Sequence, residues 1–160
     1  MKSASRNAVA VMLLTGLVVG ALAAAPGAGA LRLRPIRARL IYDDGTLSAN
    51  IVDSTNVWTL WNTVIGEGDA KKPSHATMIE VPVEDMPHAD PRPAVVQLFV
   101  AGGRYHPRDV PLVRFDSTGV QLARFRLDDT GCARLALKAQ LRGSAVIDSV
   151  FEDIPFACGE

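Results

Sequence analysis

Cysteine is nearly absent from the sequence, and its scarcity limits the chemistry open to the protein. The 160 residues contain only Cys132 and Cys158, whereas a structural zinc site takes about four ligands, mostly cysteine and histidine. The two cysteines are also too far apart for the Cys-x-x-Cys motif of thiol redox proteins. An even cysteine count in an exported chain favours a disulfide, so we predict a Cys132–Cys158 bond.

An excess of charge of either sign is absent too. The chain has 17 lysines and arginines against 17 aspartates and glutamates, for a formal net charge of +0. No overall positive field therefore attracts nucleic acid or an anionic membrane. Nucleic acid is not among the partners that the composition predicts.

Motifs that would announce catalysis are missing as well. The chain has no Gly-x-Ser-x-Gly element, which marks one class of serine hydrolases. Ser74 and His75 are adjacent, so in a strand their side chains would point to opposite faces. His75, His88 and His106 do not stand at the spacings typical of metal ligands. We therefore predict a protein that is not an enzyme and has no cofactor or metal.

The first 30 residues have the three parts of a secretion signal. Lys2 and Arg6 give a positive start, an apolar run follows, and Ala28-Gly29-Ala30 fits a cleavage site. The alternative is an uncleaved membrane anchor, but the run is rich in Ala and Gly and near the lower length limit for a span. We predict a cleaved signal helix over 1–30, no stable membrane anchor, and one periplasmic or secreted domain over 31–160.

Short apolar runs with a period of two, separated by Gly, Asp and Pro turns, predict an all-β domain. The fold class that this favours is a small antiparallel β-sandwich of immunoglobulin-like architecture, or a barrel. The predicted strands are 40–42 and 46–52 as a first hairpin, 57–65, 76–83, 94–101, 110–115 and 120–127 as a second hairpin, 134–141, and 146–157.

Three of these segments contain conflicting signals. Residues 134–141 are helix formers, but their strict alternation favours a strand. Pro82 predicts that segment 76–83 is an edge or bulged strand, because proline cannot donate to a ladder. In segment 120–127 the apolar positions change parity after Ala123, which predicts a bulge.

Four arginines fall within residues 31–39, and two interpretations of them stay open. They could form a cationic patch for an acidic partner. They could equally belong to a solvated lead-in followed by an edge strand, where charge discourages edge-to-edge pairing. Because chain ends are usually loose unless docked, we favour the second interpretation.

Candidate binding residues occur in two loops. Arg104, Tyr105 and His106 follow a Gly-Gly turn, and Arg and Tyr are enriched at protein interfaces. Glu67 and Asp69 lie in a Gly-rich loop that could also contact a partner, although two acids fall far short of a calcium site. Local packing of Tyr105 on its own domain is the competing interpretation.

The two tryptophans offer an alternative site. Trp58 and Trp61 have opposite parity in a strand, so one of them could be accessible to a carbohydrate, although burial of both in the core is the favoured interpretation. The function that we predict is an exported, non-enzymatic domain that binds another protein or a cell-envelope component. The alternative is a small-ligand or carbohydrate-binding module with an exposed Trp. A metal-binding protein or a hydrolase is the least favoured interpretation.

Overall fold

The computed structural model describes residues 31–53, 55, 58–61, 69–70, 72–85, 94–112, 117–143 and 148–157. Within these ranges the chain is all-β and has no helix. The strands are β1 Leu31–Leu33, β2 Arg37–Tyr42, β3 Ser74–Asp85, β4 Val95–Val100, β5 Arg108–Pro111, β6 Val120–Asp128, β7 Leu135–Arg142 and β8 Ser149–Ile154.

The first sheet is built around β3, its longest strand. β1 and β2 follow one another along one side of β3 and are separated by the break at residues 34–36. β6 pairs with β3 along the other side. All pairs are antiparallel, and the register places Arg37 and Arg124 on either side of Glu80.

The second sheet has the order β5-β4-β7-β8 and is also antiparallel. Alternate residues of both sheets belong to one buried apolar cluster. Ile79, Val81 and Phe125 contribute from the first sheet, and Leu98 and Leu137 contribute from the second. The two sheets therefore share a single core, and the intervening residues face outward, as the period of two requires.

The prediction that segment 76–83 is an edge strand is wrong, because β3 is the centre of its sheet. The alternative of a bulge within this segment is wrong too, since the register shift of β3 against β2 falls at His75, just before it. Pro82 is tolerated there for a local reason. Arg34 N donates to Pro82 O at 2.8 Å. The nitrogen of Pro82, which carries no hydrogen to donate, therefore points to the same side of β3, towards Arg34. At Arg34 the chain leaves the sheet, so little pairing is lost. On the other side Pro82 faces Leu122, in a pair whose backbone groups do not bond to each other.

Two predictions about β6 are also wrong. The β3–β6 register runs without a shift from Ala76–Asp128 to Glu84–Val120, so no bulge follows Ala123. The change of apolar parity instead leaves Val120 and Leu122 half-buried on the outer face. β5 and β6 do not form a hairpin either, since β5 pairs with β4 in the second sheet and β6 with β3 in the first.

The remaining strand predictions differ in outcome. The strands predicted at 94–101, 134–141 and 146–157 are present as β4, β7 and β8, so alternation outweighed helix propensity in β7. The return strand at 46–52 is reduced to an isolated bridge between Ile41 and Leu47. In segment 57–65 the described residues 58–61 form no strand, and Trp61 makes an isolated bridge to Ala157.

Candidate binding surface

Arg104 and Tyr105 are engaged within the domain. The Arg104 guanidinium donates to Asp129 O at 2.8 Å, and the Tyr105 hydroxyl donates to Asp128 O. Tyr105 is half-buried and packs against the core, and burial raises the pKa of its phenol. These contacts secure the loop after β4, whereas His106 beside them is exposed.

The two tryptophans differ in exposure. Trp58 is half-buried against the core, but Trp61 is 56% exposed, so the favoured prediction that both are core residues is wrong for Trp61. Asp69 accepts a hydrogen bond from Thr59 N and thereby closes its own loop. Glu67 lies outside the described residues.

The histidines do not converge within the part of the chain that the structure describes. His75 and His106 are exposed, His88 lies outside the described residues, and no group of three potential metal ligands occurs among those described. His75 lines an open groove of about 430 Å³ together with Tyr42 and Arg126. The neighbouring Ser74 is buried, and its hydroxyl lies within hydrogen-bond distance of the carbonyl oxygens of Ile41 and Ala76, which compete for its single proton, so it is not an available nucleophile for His75.

The outer face of the first sheet joins two arginines of segment 31–39, for which the sequence left a cationic patch open, to two arginines of β6. The favoured interpretation of that segment as a loose lead-in is wrong, because β1 and β2 pair with β3. Arg37 and Arg39 on β2 alternate with buried residues, as do Arg124 and Arg126 on β6. The register places both pairs on the same face, across β3 from each other. We call this set of four side chains the arginine face.

Glu80 lies at the centre of the arginine face and is nearly inaccessible, with its side chain 5% exposed. Its carboxylate oxygens lie 3.0 Å from Arg124 Nε and 3.3 Å from Arg39 Nε. A buried carboxylate needs charged partners to offset its desolvation. Glu80 and these two arginines therefore stabilise one another and fix the position of both guanidinium groups.

The other two arginines of the face are less constrained. Arg126 pairs with Asp128 at 2.7 Å, and both side chains are more than half exposed. Arg37 is exposed and has no ion-pair partner among the described residues. The face thus presents four guanidinium groups against two paired carboxylates, which leaves it locally positive on a chain with no net charge.

The sequence carries part of this signal. Arginine alternates at 37 and 39, just before the predicted strand 40–42, and at 124 and 126 within the predicted strand 120–127, and in a strand such alternation places each pair on one side. What the sequence lacks is the register that joins β2 and β6 across β3, because those contacts link residues far apart in the chain.

Comparison with known proteins finds no family model, curated protein or solved structure that matches the chain. The described residues also contain no helix with the length and apolar character needed to cross a membrane.

Proposed function

We propose that the chain is an exported, non-enzymatic β-domain that holds an anionic partner, either another protein or a cell-envelope component, against its arginine face. The observation that carries the proposal is the set of four arginines on one sheet face, whose carboxylate partners are Glu80 and Asp128, while the third acid of the face, Glu84, pairs with Arg34. Guanidinium groups bind carboxylates and phosphates in a planar, bidentate manner. Arginine is also enriched among the residues that dominate interface energies.

The shape of the face supports a large partner. Sites for small molecules are concave and enclose most of the ligand surface, whereas the arginine face is the open side of a sheet. Glu80 holds two of the four guanidinium groups in place before binding. Ordering these groups in advance lowers the entropic cost of association.

An immunoglobulin-like sandwich is the fold that the proposal assumes. The order of the strands supports it. β1 and β2 together correspond to strand A of such a domain, β3 to strand B, and β6 to strand E. The second sheet, β5-β4-β7-β8, corresponds to C′, C, F and G.

Export and a Cys132–Cys158 disulfide belong to the same proposal. Residues 1–30 carry the sequence features of a cleaved signal. These residues and Cys158 lie outside the part of the chain that the structure describes. Leu135 and Ile154 are partners in the β7–β8 register, so the segment that contains Cys132 enters β7 at the same end of the strand pair at which the chain leaves β8. No cysteine is free in the part of the chain that the structure describes, which also supports the bond.

Removing two arginines from the face tests the proposed function. We expect Arg37→Gln with Arg126→Gln to weaken binding to an immobilised glutamate–threonine copolymer about tenfold or more, because two of the four cations of the face are lost. The fold is expected to be retained, because the ion pairs of Glu80 are with Arg39 and Arg124. The control is Arg134→Gln with Arg142→Gln, which removes the same charge beside the second sheet. That variant is expected to bind like the wild type when measured by biolayer interferometry.

An equal loss in both double variants would show that binding follows net charge, and it would overturn the assignment to the arginine face. Absence of wild-type binding to any anionic probe would overturn the proposed function itself. If a neutral oligosaccharide bound instead, and Trp61→Ala abolished that binding, the carbohydrate alternative would take its place.

A further inference from the structure

We infer that the occupant of the arginine face is an extended peptide segment with acidic side chains at alternate positions. The inference rests on the proposed function and narrows the partner to a protein. It follows from the spacing of the arginines, from the acids interspersed among them, and from the way in which Glu80 is bound.

The spacing of the arginines equals the repeat of an extended chain. Arg37 and Arg39 are two residues apart on β2, as are Arg124 and Arg126 on β6. A strand rises about 3.3 Å per residue, so each pair is separated by about 6.6 Å along the sheet. A peptide in the same conformation presents every second side chain on one face at that same interval.

The acids on the face disfavour a uniformly charged polymer. Glu80, Glu84 and Asp128 occupy outward positions of the same sheet. Glu84 pairs with Arg34 at 2.6 Å, so positive and negative groups alternate over the surface. A polyanion with closely spaced charges would be repelled by these carboxylates, whereas a peptide can carry its acids only at the positions that lie opposite arginines.

Glu80 shows how the face binds a carboxylate. The register row Arg37–Glu80–Arg124 already contains an acid between two arginine columns. The next row, Arg39–Met78–Arg126, has the uncharged and half-buried Met78 at the same place. Arg39 and Arg126 each direct their Nε at an acid of the face, Glu80 and Asp128, so a ligand carboxylate above Met78 would be bound by their remaining N–H groups.

Apolar residues at both ends of the face also suit a peptide. Ile41 on β2 and Leu122 on β6 face outward and are half-buried. Side chains of this kind contact the apolar residues of a peptide, which a sulfated or phosphorylated polymer lacks. The mixture of cationic and apolar groups therefore matches an acidic protein segment.

The experiment compares two nine-residue peptides of identical composition, three glutamates and six threonines, on the full mature chain. One places glutamate at every second position and the other at every third position. We expect the first to bind about tenfold tighter in fluorescence anisotropy at low ionic strength. The Arg37→Gln, Arg126→Gln double variant is expected to abolish the difference, and the Arg134→Gln, Arg142→Gln control to keep it.

The outcomes separate this inference from the proposed function. If both peptides bound equally and both lost affinity in the face variant, the alternate spacing would be refuted while anion binding stood. Tighter binding of dextran sulfate or single-stranded oligothymidylate, at equal charge, would also overturn a peptide partner. Failure of every anionic probe would overturn the proposed function together with the inference.

Discussion

Glu80 is the residue on which the arginine face depends for its order. Its carboxylate is buried and contacts both Arg39 and Arg124. Glu80→Gln keeps the size of the side chain but removes the charge, which leaves both guanidinium groups without their anion. We expect the free energy of unfolding to fall by about 1–3 kcal/mol, measured by urea denaturation.

Glu84→Gln is the matched control on the same strand. Glu84 is more exposed than Glu80, and it forms an ion pair with Arg34 near the sheet edge. Exposed pairs contribute about 0–1 kcal/mol, so the control is expected to unfold nearly like the wild type. Equal losses in the two variants would mean that burial of Glu80 does not determine its contribution.

The turn after β2 is an element whose stability depends on pH. The Asp44 carboxylate accepts hydrogen bonds from Lys72 and Thr46, and the bond from Lys72 is the main reason that the pKa of Asp44 is lowered. These contacts connect the turn to the segment before β3. Lys72 also lies over the Tyr42 ring, 5.6 Å from its centroid.

The sign of the pH dependence follows from the lowered pKa of Asp44. A carboxylate whose pKa is lower in the folded state contributes stability above its ordinary pKa of about 4, and the contribution is lost as pH falls below it. We therefore expect Asp44→Asn to lower Tm at pH 7, and the difference from wild type to shrink towards pH 2. Circular dichroism melts across this range measure it. A difference independent of pH would exclude the carboxylate as its source.

Individual strands were predictable from sequence, and their partners were not. β7 follows from the alternation of Leu135, Leu137 and Leu141 alone, since period-two burial is a local property. The central place of β3 could not be predicted, because it depends on Arg34 standing opposite Pro82. The arginine face was missed for the same reason, since its two halves are joined only by tertiary register.

At the scale of the whole molecule, composition conceals the distribution of charge. A formal net charge of +0 predicts no long-range attraction to polyanions, yet it does not describe the arginine face. The face gathers its cations from β2 and β6, which are far apart in the chain. Short-range recognition of a partner with placed charges is the kind of binding that this distribution favours.

The proposed disulfide acts on the stability of the whole domain. A Cys132–Cys158 bond would join the start of β7 to the chain after β8, close to the bridge between Trp61 and Ala157. Closing a loop of this length removes unfolded-chain entropy equivalent to about 3–4 kcal/mol. We expect reduction to lower Tm by roughly 10 °C or more, since about 1 kcal/mol shifts Tm by several degrees in a domain of this size.

Cys132→Ser and Cys158→Ser should each melt like the reduced wild type and should not respond to reductant, because all three lack the same bond. A wild-type melting curve that reductant leaves unchanged would refute the disulfide, and with it the argument that the chain folds in an oxidising compartment.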